Sequence, residues 1–185
     1  DKVITCKMLL SHRSSLNDTN GYFTLDSINP SATKNSAKCY NNYEPGTRYQ
    51  YCNLNFNIIG TIIERLSGQR FDQYIKKNIL DPLHLYGGYC VDSLNKDLFV
   101  TLYEYNASKE RFEAAPDAYA PRREQIQNYQ MGHSTPIFSP TGGMKISAVD
   151  LARYMMMHMN YGKSNGVRVM PKKSAKLMQK ALSIE

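Results

Sequence analysis

Apolar side chains recur at helical spacing in five stretches of the chain. Thr5 is placed to cap a short helix that carries Leu9 and Leu10 and ends between His12 and Ser15. The clearest stripe is Ile58, Ile59, Ile62, Ile63 and Leu66. It predicts a helix over 54–67, with Asn53 as its cap and Gly68 as its stop. Phe71, Tyr74, Ile75 and Ile79 predict a second helix over 71–80, which Asp81 and Pro82 end. Ser147, with Asp150 three residues later, opens another. Its apolar face is Ala148, Leu151, Ala152, Met155 and Met159. Met156 and Met157 point elsewhere, so this helix is expected to be buried on most sides, with its methionines as core packing. Pro171 suits the first turn of a last helix to about Leu182, whose inward stripe would be Ala175, Met178, Ala181 and Leu182.

The remaining sequence lacks that period. Residues 17–47 are polar and rich in Asn, Ser, Thr and Gly, which predicts a long loop with a turn at Pro45 and Gly46. Leu98 to Tyr105 is dense in aromatic and β-branched residues. With a turn over 106–110 and a return through Arg111 and Phe112, it predicts a small hairpin. Residues 114–123 read as loop. The pattern is that of an α-rich α+β chain with one β-hairpin and no internal repeat.

Composition adds limits. The 185 residues fit one domain, 1–185, and the 42% apolar and 21% charged content excludes collagen, coiled coil and wholesale disorder. The longest apolar runs are broken at Gly60 and Thr61, far short of the roughly 18 residues that span a bilayer. Lys and Arg exceed Asp and Glu by 23 to 16, a formal charge of +7. Lys173, Lys176 and Lys180 lie on one side of the last helix and read as a solvated face; no nucleic-acid motif accompanies them. Cys6, Cys39, Cys52 and Cys90 are too far apart for a metal or redox motif and are expected as buried free thiols, although an even count permits disulfides. His12, His84, His133 and His158 have no metal-ligand spacing.

The candidate chemistry is sparse. Ser-x-x-Lys, a pattern in which lysine helps to activate a serine, occurs at Ser31–Lys34 and Ser93–Lys96. Neither serine opens an apolar helix, so neither is expected to be a nucleophile. Tyr51 and Asn53 are two apart in a tight segment just before the 54–67 helix, which sends both side chains to one side. A phenol near a lysine can act as a base, and an amide can both donate and accept. On the tripeptide alone, the favoured reading is Tyr51 as a packing residue and Asn53 as a plain helix cap.

Four blocks then point to a family. Ile4 to Leu16, with Leu9, Leu10, His12, Ser14 and Leu16, is similar to its "ITxxxLLxHTSGL" stretch. Pro45, Gly46, Tyr51 and Asn53, continuing through Glu64, Gly68 and Pro82, resemble its "PGxxxxYSN" segment and the two helices after it. Gly142, Gly143, Ser147, Asp150, Leu151 and Ala152 resemble its "GG…S…DLA" segment. Gly166 to Pro171 resembles the block before its last strands. In this order they make the chain resemble the serine β-lactamase and penicillin-binding-protein family, in the branch of class C β-lactamases, D,D-carboxypeptidases and related esterases.

The resemblance implies the helical region of that fold and acyl transfer through a serine ester. It implies that Tyr51 assists proton transfer to and from the serine. Asn53 would help to hold the substrate amide and the catalytic lysine. No metal or organic cofactor is implied. Cys52 stands where Ser is usual and Ser15 where Gly is usual, which puts the ending of the first helix in question. The family's Ser-x-x-Lys would lie before Ile4 and its His/Lys-x-Gly after the last helix, together with the terminal parts of its main antiparallel sheet. The expectation is therefore a central fragment, inactive alone, of a β-lactam-, peptidoglycan-peptide- or ester-cleaving enzyme of the bacterial periplasm or envelope. The alternative is a non-catalytic module that binds a partner or cell-wall glycan. The 54–67 helix is expected to leave an apolar patch exposed or covered in a homo-oligomer.

Overall fold

The computed structural model describes residues 3–115 and 119–181. Six α-helices and three two-stranded antiparallel pairs are present among these residues. The chain divides into two compact units, one of residues 1–89 and 130–185, the other of residues 90–129.

In the larger unit, Thr5 caps α1 (Cys6–Leu10) by accepting the Met8 N–H. Residues 17–47 are irregular as expected, with single 3₁₀ turns at Leu25–Ile28 and Ser36–Cys39 and a bridge from Leu16 to Tyr40. They fold over a first core of Leu9, Leu16, Cys52 and Leu54, against which Tyr22, Leu25, Ile28, Ile58, Ile59 and Ile62 pack.

α2 (Leu54–Ser67) has the predicted bounds, and Gly68 ends it at φ 66°. Its orientation differs from the expectation. The most buried side is polar or small, with Asn57, Gly60, Thr61 and Glu64, and the isoleucines sit half-buried beside it. Glu64 is fully buried and accepts the N–H groups of Phe71 and Gly132 and the Thr135 hydroxyl, each at 2.8 Å. These partners lie up to 71 residues away, so the periodicity could not show that a carboxylate belongs inside. The predicted apolar patch on this helix is correspondingly small. Leu66, at 84% exposure, is its only large apolar side chain left open among the described residues.

The predicted 71–80 helix is α for one part and wider for the other. α3 (Phe71–Ile75) continues as a π-helical turn, Lys76–Leu80, closed by the Asp81 N–H on Lys76 O. Leu80, Leu83, Leu85 and Met157 form a second core, with Ile75, Ile79, Tyr154 and Val169 against it. β1 (Gly87–Gly88) pairs with β4 (Lys145–Ile146), and β5 (Lys163–Ser164) with β6 (Val167–Arg168). A Cβ at Gly87 would lie 2.5 Å from Lys145 O, so the first pairing requires glycine there.

α5 (Ala148–Met159) begins where predicted, with Ser147 accepting the Asp150 N–H, but the expected burial on most sides is not found. Met157 is its one buried residue, with Tyr154 beside it in the second core. The face of Ala148, Leu151, Ala152, Met155 and Met159 is exposed. Both sides of this helix are apolar, and the side that meets Leu80 and Leu83 is the one buried. α6 (Lys172–Met178) follows Pro171; Ala175 is buried as expected, whereas Met178 is exposed. The helix ends at Met178, short of the predicted end near Leu182: residues 179–181 are not helical and Ala181 is exposed, while Leu182 itself lies outside the described residues. The ammonium groups of Lys172 and Lys176 lie over the Tyr161 ring.

The smaller unit holds the predicted hairpin, β2 (Leu102–Asn106) with β3 (Arg111–Ala115). Asn106 Oδ1 shapes its turn by accepting the N–H groups of Ser108 and Lys109. The short α4 (Arg123–Gln127) also lies in this unit. Its Arg122 N–H and Arg123 guanidinium both reach Asp92.

Candidate active site

The connections into and out of α1 and α2 build the site. His12 and Ser15 both take left-handed backbone conformations, at φ 53° and 66°. The substitution of Ser for Gly at position 15 is thus accommodated: the strain, of order 1 kcal/mol, is offset by a hydrogen bond from Ser15 Oγ to Tyr43 O. This turn lays the His12 ring along the 49–56 segment. The imidazole lies 4.5 Å from the Tyr51 ring, 5.3 Å from Phe56 and 5.9 Å from Tyr49. His12 Nδ1 accepts the Cys52 N–H at 3.1 Å. Burial lowers the His12 pKa, against the pull of the Asp18 carboxylate.

Asp18 holds the segment from the other side. Its Oδ1 accepts the Leu54 N–H at 3.0 Å and the Cys52 thiol at 3.2 Å. Its Oδ2 accepts the Asn53 N–H at 2.7 Å and Asn53 Nδ2 at 2.9 Å. The expectation that Asn53 caps α2 is therefore corrected. Asn53 is already helical in backbone, its side chain makes no cap, and the first N–H groups of the helix go to Asp18 instead. An anion suits that position, where the helix dipole is positive. Burial works against the Asp18 charge, but the hydrogen bonds outweigh it and hold the carboxyl below its ordinary range. Cys52 is buried, and burial with the neighbouring carboxylate pushes its thiol up to about 12.

The two residues singled out in the sequence are brought together. Tyr51 is 59% exposed, and its hydroxyl donates to Asn53 Oδ1 at 3.1 Å. One face thus presents a phenol and an amide in fixed mutual orientation, on a backbone pinned by His12 and Asp18. The pair can pass a proton and hold an amide group, but neither residue is an ordinary nucleophile. The Ser-x-x-Lys matches do not contribute one. Ser31 is exposed in a turn, and Ser93 is exposed with its hydroxyl on Cys90 O.

Sequence reasoning missed Asp18 and gave His12 no role of its own. His12 lies inside the first family-like block, which was its available signal. Asp18 is a lone acid in a polar loop, with no spacing that marks it. Of the cysteines, Cys39, Cys52 and Cys90 are buried free thiols as expected, whereas Cys6 is free but exposed.

The fold is that of known proteins. Over 98% of its length the chain is 26% identical to penicillin-binding protein 4 of Amycolatopsis lactamdurans, 45% of which it covers. Over 64% of its length it is 24% identical to protein flp of Staphylococcus aureus, 20% of which it covers. The chain spans less than half the length of these curated relatives. Among solved structures, an octameric penicillin-binding protein homologue from Pyrococcus abyssi superposes on 96% of the chain with a TM-score of 0.65 at 23% identity, over 38% of its own length. A D-stereospecific amidohydrolase from Streptomyces superposes on 98% with a TM-score of 0.64 at 17% identity, over 52% of its own length. The family model described as Beta-lactamase matches residues 1–184, and the chain belongs to that family.

Proposed function

We propose that these 185 residues are the central part of a longer serine hydrolase acting by acyl transfer, and that Tyr51 and Asn53 belong to its active site. The observation that carries this reading is the Tyr51–Asn53 hydrogen bond, on a loop pinned by His12 and Asp18. The lengths of the relatives support the larger size. A serine hydroxyl from chain outside these residues attacks the substrate carbonyl, and its proton passes by way of the Tyr51 phenol to the leaving group, an amine from a β-lactam or peptide and an alkoxide from an ester. Water then cleaves the serine ester. Asn53 helps to hold the substrate amide and the lysine beside the serine. The substrate is a β-lactam, a peptidoglycan-type D-Ala-D-Ala peptide or an ester, and the place of action is the periplasm or envelope.

Without the catalytic serine and lysine of the Ser-x-x-Lys motif, the 185-residue chain is expected to have no hydrolytic activity. Intact mass after incubation with a reactive β-lactam is expected to show no adduct; a stable acyl adduct would refute that inactivity. In the longer protein, Tyr51→Phe is expected to lower kcat by about 100-fold or more with an unchanged circular dichroism spectrum. An unchanged rate would move the proton-transfer role to another group. A second copy covering the exposed face of α5 is the oligomer consistent with this reading. Sedimentation velocity that returns only monomer at every concentration would remove it.

A further inference from the structure

Asp18 does more than a helix cap needs. A cap requires an acceptor for the first backbone N–H groups, and Asp18 provides that to Asn53 and Leu54. The contact to Asn53 Nδ2 is additional. An amide has one accepting end and one donating end. With Nδ2 held on the anion, Oδ1 is the end that faces Tyr51, and it accepts the phenol hydrogen. Turned over, the amide would set its oxygen against a carboxylate oxygen with no hydrogen between them, and its NH₂ against the phenol oxygen. The carboxylate thus selects one of two amide orientations, and the amide sets which way the phenol hydrogen points.

We propose that Asp18 is a positioning residue of the Tyr51–Asn53 pair: by holding Asn53 Nδ2 it directs Oδ1 to the Tyr51 hydroxyl. The inference rests on the reading of that pair as active-site residues, and Asp18 acts through Asn53 rather than on a reacting group.

The test uses NMR on the wild-type 185-residue chain, following the Asn53 side-chain amide, the Leu54 backbone amide and the Tyr51 ring carbon that bears the hydroxyl, from pH 6 to pH 2. The titratable groups facing the carboxylate are His12 and Cys52; His12, whose pKa is lowered, also titrates in this window and is followed on its own ring carbons, so that its step is told apart from that of Asp18. The expected result is one acid step shared by all three signals. An Asn53 side-chain amide and Tyr51 ring that stay put while Leu54 shifts would reduce Asp18 to a helix cap and overturn the inference. In the longer hydrolase, Asp18→Asn is expected to lower kcat about tenfold, the worth of one charge-assisted hydrogen bond, with KM little changed. A folded Asp18→Asn enzyme with full kcat and a lowered melting temperature would also overturn it. If that variant does not fold, the wild-type titration decides. Uncoupled signals with an inactive Tyr51→Phe enzyme sink this inference alone. Coupled signals with a fully active Tyr51→Phe enzyme sink the functional reading beneath it.

Discussion

Asp18 and the segment it holds are 35 residues apart in sequence, yet four hydrogen bonds join them. Its carboxyl is held below the usual aspartate range in the folded chain. The sign of the pH effect follows. A depressed folded-state pKa adds stability above the unfolded value of about 3.9, and that stability is lost as pH falls through the folded-state value. The urea midpoint is therefore expected to fall on acidification below about pH 4 more steeply in wild type than in Asp18→Asn. Parallel curves would mean that the carboxylate contributes no such linkage. The same carboxylate disfavours a thiolate at Cys52, whose pKa is pushed up to about 12, and thiolate is the reactive form. At pH 8, a disulfide reagent is expected to label Cys6 of the folded chain quickly and Cys39, Cys52 and Cys90 only after denaturation. Rapid labelling at Cys52 would contradict the burial and charge described here. Tyr51 and Asn53 were legible in the sequence because they belong to a local pattern. Asp18 was not, because its partners are all distant.

Among the elements, α2 shows how far periodicity reaches. Its bounds, its glycine stop and its isoleucine stripe are local properties and were read correctly. Which side lies deepest was not, because Glu64 is buried only by virtue of donors at Phe71, Gly132 and Thr135. Gly60 lies on that deep side, and a Cβ there would sit 2.6 Å from Pro140 Cγ and 3.0 Å from Thr135 Cγ2. Alanine favours a helix over glycine by about 1 kcal/mol. The crowding outweighs this, because overpacking in a dense interior costs about 1–3 kcal/mol. Gly60→Ala is thus expected to lower the stability measured by chemical denaturation, and a stabilised variant would show that Pro140 yields freely. The β5–β6 pair also had a local signal, Asn165 followed by Gly166, both at positive φ. That dipeptide is a strong hairpin mark, but the strands that it joins are only two residues long, too short to show an alternating pattern.

At the scale of the molecule, α5 leaves an apolar face open and α2 does not; among the described residues the hairpin exposes Leu102, Tyr103, Tyr105 and Phe112 as well. Val149, Leu151, Met155, Met156 and Met159 are all exposed. The 185-residue chain is expected to enhance the fluorescence of a hydrophobic dye, and Met155→Lys with Met159→Lys to remove most of that signal. An equal signal from the double variant would place the dye elsewhere. The sequence by itself determined the bounds of α2, the start of α5, the hairpin, the family and the neighbouring phenol and amide, because each depends on residues close in the chain or on ordered blocks. The tertiary structure alone decided that Glu64 lies inside, that α5 buries Met157 in place of its predicted stripe, and that Asp18 is hydrogen-bonded to the Asn53 amide. The reason is common to all three: burial and hydrogen bonding of a side chain are settled by partners dozens of residues away, which local spacing does not encode.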